Sequence, residues 1–331
     1  ACMEGNTMAK AFASAADLDE KKETFAKLAD GVYAFTAEGD PNTGVIIGDH
    51  GVMVIDARAT PVLARELMDQ IATVTDKPVT HVMLTHYHAV RVMGASGYNA
   101  NHIIASKDTL DLIEERGEQD FKSEVDRFPR LFRSVESVPG LTWPDVVVDG
   151  TLTMRFGGRD LVIKQVGRGH TKGDTIVWLP EDRILFAGDL VEEGATPYCG
   201  DAYLNDWPQT LNNLLALNPE QMVPGRGEAM RIEHECIRAI EGTRSFVTDM
   251  MSSVRMGFAA GKSLNDVYVD THRVLKPKYG DWVIFEHCLP FNISRAFDEA
   301  SGIVDPRIWT AERDNDMWHS LQDALKELDD D

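Results

Sequence analysis

The sequence predicts an α/β fold followed by a helical C-terminal region, and three observations carry that prediction. Short apolar runs of strand length, Val45-Ile46-Ile47, Val52-Met53-Val54-Ile55 and Val82-Met83-Leu84, are rich in β-branched residues. Stretches with helical spacing lie between such runs, at 61–71 and 107–132. Beyond Glu228 the apolar residues Ile232, Cys236, Ile237, Ile240, Phe246, Val247 and Met250 recur about every 3.6 residues.

Residues 1–29 are polar and alanine-rich and end in Asp19-Glu20-Lys21-Lys22-Glu23, so an N-terminal arm with little structure of its own is expected. Strand pattern begins at Val32-Tyr33-Ala34-Phe35. The next two apolar runs are joined by Gly48-Asp49-His50-Gly51, a hairpin signal. Asp56 then reads as a turn former that supports nearby loops. Thr60 is placed to N-cap the helix at 61–71, with Pro61 in its first turn. A short strand at 101–105 precedes a helical insertion over 107–132, closed by Pro129 and Pro139, and Val146-Val147-Val148 is the next strand. Asp206, followed by Pro208, reads as a helix cap; Ser263 caps a further helix to Leu275, ahead of Pro277. The chain of 331 residues thus divides, without a linker, into an arm (1–29), a core domain (30–228) and a C-terminal helical extension (229–331) that caps a pocket or forms a homodimer contact.

Chemistry gathers at strand ends. Thr85-His86-Tyr87-His88 follows directly on Val82-Met83-Leu84, and two imidazoles one residue apart can converge on one ion where the chain turns. Three more strand-end loops follow: the run ending at Val166 enters Gly167-Arg168-Gly169-His170-Thr171, Ile184-Leu185-Phe186-Ala187 enters Gly188-Asp189, and Met222-Val223-Pro224 enters Gly225-Arg226-Gly227. In this order the motifs resemble those of the metallo-β-lactamase-fold hydrolases: His-x-His-x-Asp-His, Gly-His-Thr, Gly-Asp, then Gly-His-Gly. The resemblance covers about residues 30–230 and implies an αββα sandwich. It implies that His86, His88 and His170 hold a first metal and that Asp189 is the bridging carboxylate.

The departures are as informative as the match. Where the family has Asp and His after the second histidine, this chain has Val90 and Arg91, and Arg226 stands where the family has its last histidine. Neither valine nor a guanidinium ligates a cation, so one ion is expected, zinc in the first place with iron as the alternative. Either the arginines turn into solvent, or a guanidinium takes the space of the lost metal and pairs with Asp189 or with substrate. Facing inward, Arg91 and Arg226 make the pocket strongly positive, which calls for an anionic ester, lactone, thioester or amide. An ion held by three histidines keeps an open position and lowers the pKa of bound water to roughly 7, making hydroxide the expected nucleophile. Asp189, Arg91 and Arg226 are the catalytic candidates; Tyr87, Tyr198 and Asp201 are the candidates for substrate contact. Two other readings stay open: an Fe(II) oxygenase, as in the persulfide-dioxygenase branch of the family, and a metal-free binding role.

Composition limits the partners. With 33 Lys and Arg against 54 Asp and Glu, the formal charge of −21 argues against nucleic acid and anionic membranes, and 43% hydrophobic content suits an ordinary globular enzyme. No run approaches the ~20 apolar residues of a membrane span. Residues 1–16 lack the apolar core of a signal peptide, and Cys2, Cys199, Cys236 and Cys288 form no Cys-x-x-Cys pair, so free thiols and a cytoplasmic location are expected. Cys199 lies near the site without an obvious base. His287 and Arg295 in the extension are expected to lie away from it.

Overall fold

The computed structural model describes residues 11–331. One sheet contains β1 (Thr24–Ala29), β2 (Val32–Ala37), β3 (Asp40–Ile47), β4 (Val52–Ile55), β5 (Val79–Met83), β6 (His102–Ser106) and β7 (Val146–Val148), hydrogen-bonded in that order. Its first four strands form an antiparallel meander. The rest run parallel, linked by crossovers that carry α1 (Pro61–Ile71), α2 (Ala89–Val92) and α3 (Lys107–Arg127). The second sheet contains β8 (Thr151–Phe156), β9 (Arg159–Lys164), β10 (Ile176–Leu179), β11 (Ile184–Phe186) and β12 (Gln221–Val223), in the order β12-β11-β10-β9-β8. Between β11 and β12 lies α4 (Trp207–Leu215), and the chain finishes in α5 (Glu233–Ala259), α6 (Leu264–Tyr279), α7 (Phe285–Ala300), α8 (Ala311–Ser320) and α9 (Gln322–Asp329). No described helix is long and apolar enough to cross a membrane.

The unbroken apolar runs follow from burial of both sheet faces, since successive side chains point to opposite sides. Val45, Val52, Val54 and Val82 pack with Leu63, Ala64 and Leu67 of α1. Their neighbours Ile46, Met53, Ile55 and Met83 meet Leu161, Ile163, Val177 and Phe186 of the second sheet. That sheet's outer face, with Ile176, Leu185 and Met222, is covered by Leu211 and Leu214 of α4 and Cys236 and Ile240 of α5. The result is an αββα sandwich in which the C-terminal helices supply much of one outer layer.

Three local expectations change. Residues 24–29, assigned to the arm, form the edge strand β1, because Phe25 stacks on Tyr33 of β2 at 5.0 Å and gives the edge a cross-strand aromatic pair. Residues 1–10 of that arm lie outside the described residues. Pro277 does not end α6, which runs on to Tyr279; a proline in the last turn removes one hydrogen bond, and Tyr279 packs against Phe246 and Trp282. Asp206 sits at the N-cap of α4 but makes no capping bond; its carboxylate accepts from Arg168 Nε at 2.8 Å.

Candidate active site

His86 and His88 follow β5 of the first sheet, while His170 follows β9 and Asp189 follows β11 of the second, so the site spans the seam between the sheets. His86, His88, His170 and Asp189 are all buried, and one ligand atom from each lies within 4.8 Å of the other three. Asp189 is delivered by a single 3-10 turn, 188–190, entered through Gly188 at φ +55; a side chain there is strained and its Cβ would press on Thr85.

The ring partners fix which nitrogen of each histidine is free. Thr85 Oγ1 donates its one hydrogen to Asp56 (2.8 Å to Oδ2), so it accepts from His86 Nδ1 at 2.9 Å and leaves His86 Nε2 as a lone pair. His170 Nδ1 donates to the Tyr198 carbonyl at 2.7 Å, which frees Nε2. His88 Nε2 donates to Asp201 Oδ2 at 2.7 Å, which frees Nδ1. Three lone pairs then face one space, where Asp189 Oδ2 lies 3.4 Å from His86 Nε2 and 3.3 Å from His170 Nε2. His86 Nε2 is buried with no hydrogen-bond partner. His88 Nδ1 and His170 Nε2 stand 2.9 Å apart, a separation two lone pairs tolerate only with a proton or a cation between them. Burial opposes charge on His88, yet Asp120, the hydrogen bond to Asp201 and Glu124 raise its pKa to about 9, so without metal it carries that proton. Donors of this type, arranged this way, fit one metal ion.

Arg91 closes the other side. Its Nη2 pairs with Asp189 Oδ1 and donates to the Gly225 carbonyl (2.6 Å), while Nη1 donates to the Asn42 carbonyl (2.7 Å) and lies 3.9 Å from Asp56 Oδ2. Burial works against the charge on Asp189, but the Arg91 guanidinium beside it holds its carboxyl well below the usual range. Of the two readings for the arginines, Arg91 therefore follows the inward one, as a partner of Asp189. Gly225 is required here: a Cβ would overlap Asp189 Oδ1 and crowd Glu192 and Arg91. Glu192, which the motifs did not single out, is buried beside Asp189, and burial together with that carboxylate pushes its own carboxyl well above the ordinary value.

Tyr87 and Asp201 do not occupy the substrate side. Both are buried behind His88, where Tyr87 donates to Asp201 Oδ2 at 2.6 Å and Arg116 Nη1 lies 3.7 Å from Asp201 Oδ1. They orient the imidazole. The carboxylates of α3 hold the same loop, Asp120 accepting from Ala89 N (2.8 Å) and Glu124 from Val90 N (3.2 Å). Tyr198 does line the cavity beside the histidines, with Arg226, whose Nη1 donates to the Gly39 carbonyl at 2.9 Å. His287 and Arg127 line it too, against the expectation for His287, because α7 starts above the site. Arg295 does not: its guanidinium serves the carbonyls of Ala202, Ile303 and Val304. Cys199, Cys236 and Cys288 are buried free thiols, and burial pushes the Cys199 thiol up, which removes it as a nucleophile. No local signal marks His287 or Arg127, because tertiary placement alone brings them in.

Residues 36–226, more than half of the chain, match the family model described as the metallo-beta-lactamase superfamily. Over 202 residues the chain is 28% identical to the metallo-beta-lactamase type 2 of Bacillus cereus, covering 59% of this chain and 70% of that protein. A second relative, the metallo-beta-lactamase type 2 of Bacteroides fragilis, is 24% identical over 243 residues, 69% of this chain and 86% of that protein. Among solved structures, a metallo-beta-lactamase from Pontibacter korlensis superposes with a TM-score of 0.55 at 21% identity, over 69% of this chain and 99% of that one. The sec-alkylsulfatase Pisa1 from Pseudomonas sp. superposes with a TM-score of 0.66 at 13% identity, over 84% of this chain and 50% of that one. At these identities the structural likenesses speak for the fold.

Proposed function

Because the chain belongs to the metallo-beta-lactamase superfamily, we propose that it is a metal-dependent hydrolase using one ion, held by His86, His88, His170 and Asp189, on a small anionic ester, lactone, thioester or amide. The observation that carries the reading is the set of three histidine lone pairs, each fixed by a separate partner, facing the free oxygen of Asp189. A divalent ion bound there supplies acidified water, with a pKa of roughly 7 in place of about 15.7, and polarises a carbonyl.

The side chains divide the remaining work. Asp189 keeps Oδ1 on Arg91 and leaves Oδ2 to the histidine side, so its position is set from two directions. Glu192, its carboxyl raised by burial and by the neighbouring Asp189, lies next to the reaction space. Arg226 presents a guanidinium to an anionic group or a developing oxyanion, a contribution on the order of 3 kcal/mol in a dry site. Support for a single ion comes from Arg91, whose charge already compensates Asp189 and whose nitrogens are tied to two carbonyls. The metal-free reading shares this ion pair, but it leaves His86 Nε2 buried without a partner.

Metal content per chain, measured on protein purified without a metal-chelating tag and again on His88→Ala, tests the proposal. About one equivalent of zinc, lost in the variant, is expected. Two equivalents would overturn the single ion, one of iron would redirect the search to oxygen-dependent chemistry, and none would favour a binding role.

A further inference from the structure

The wall of the cavity above the histidines comes from outside the strand-end motifs. Helix α3 brings Arg127, the turn after it brings Phe128 and Leu131, and the start of α7 brings Ile284, His287 and Cys288. Arg127 lies over aromatic rings, its guanidinium carbon 4.3 Å from the Phe291 centroid and 5.3 Å from that of Tyr198. Its Nε donates to Ser123 Oγ at 3.1 Å and lies 3.6 Å from Asp314. Arg226 donates through Nη1 to the Gly39 carbonyl. Among the described residues, both guanidiniums keep nitrogens with no hydrogen-bond partner.

His287 sits in the field of both arginines. It is 7% exposed, and its Nδ1 has no hydrogen-bond partner. Burial, reinforced by the charges of Arg127 and Arg226, pushes its pKa well below the ordinary value, so it is a neutral ring with unmet hydrogen-bonding capacity. Two of the carboxylates along the cavity are already engaged: Glu124 accepts from Val90 N and Asp189 is paired with Arg91.

The rest of the wall is mostly apolar, with Thr196 as a polar exception. Ile284 has φ +58, a costly conformation for a β-branched residue. Val283 holds it there, its N–H donating to the Gly194 carbonyl and its carbonyl accepting from Thr196 N, each at 2.9 Å. The cavity is small, about 40 Å³, and partly open to solvent.

We propose that Arg127, Arg226 and His287 form a recognition subsite for the negatively charged end of a short-chain substrate whose remaining surface is apolar. The charged end is an oxyanion, a carboxylate or a sulfonate-type group, bracketed by two guanidiniums and hydrogen-bonded to the imidazole. Phe128, Leu131, Ile284 and Cys288 take the short alkyl part. The hydrolase reading determines only what is done to this ligand; its binding stands apart from turnover.

The test titrates the purified protein with butyrate, with butanesulfonate and with 1-butanol as neutral control, followed by NMR, on wild type, Arg127→Gln and Arg226→Gln. One or both anions are expected to bind more tightly than butanol, and each variant to weaken anion binding about tenfold or more with butanol binding and metal content unchanged. Preference for butyrate or for butanesulfonate supports the subsite and identifies its oxyanion. Anion binding no tighter than butanol, or equal in wild type and both variants, overturns it, the latter because the anion then sits on the metal. Arg127→Gln leaves Asp314 without its cation; if that variant does not fold, the partly exposed Arg226→Gln decides alone. Turnover of a neutral and an anionic butyl ester is measured in parallel. Arginine-dependent anion binding without ester cleavage leaves the subsite standing and rejects the hydrolase.

Discussion

Asp201 shows how much of a residue's role is invisible from its neighbours in sequence. It looked like a pocket residue because it follows the Gly-Asp motif in a loop, but its carboxylate holds the outer nitrogen of His88, and Tyr87 and Arg116 hold it in turn. Replacing Asp201 with alanine is therefore expected to weaken metal affinity roughly 10- to 100-fold while leaving turnover near normal at saturating metal; a competitive chelator titration measures it. Gly225→Ala acts on the other side, by forcing a methyl group into the Asp189–Arg91 pair. A loss of about 1–3 kcal/mol in urea unfolding, with reduced metal retention, is the expected outcome.

At the scale of elements, the sequence was most legible where local chemistry and packing agree. Thr60 and Pro61 define the start of α1, and the structure places the Thr60 hydroxyl 3.3 Å from Leu63 N as a cap and 2.9 Å from the Arg133 carbonyl. Thr60→Ala should accordingly cost about 1 kcal/mol, read from the midpoint of denaturant unfolding at constant m. The four strand-end loops were equally legible, since glycines and polar residues interrupt apolar runs there. What could not be read was placement across the chain: Asp120 and Glu124 support α2 from a different helix, and α7 reaches the cavity from about 200 residues beyond the first histidine motif. Local exceptions such as Asp206, drawn to Arg168, show a tertiary partner winning over a cap.

For the whole molecule, the C-terminal helices belong to the sandwich as much as to the site. They cover Ile176, Leu185 and Met222 on the second sheet, and α7 walls the cavity. A fragment ending at residue 228 should expose that sheet, bind a hydrophobic dye and lose its near-ultraviolet circular dichroism; a cooperatively folded fragment would contradict this. Arg91 has a consequence for how such a protein meets metal scarcity. An ion taken from the medium is lost to a chelator or to dilution, whereas a guanidinium is made with the chain and keeps its charge at any physiological pH. If one ion binds as proposed, part of the electrostatic support of Asp189 is thus inherited instead of acquired, and starvation would empty only the histidine side.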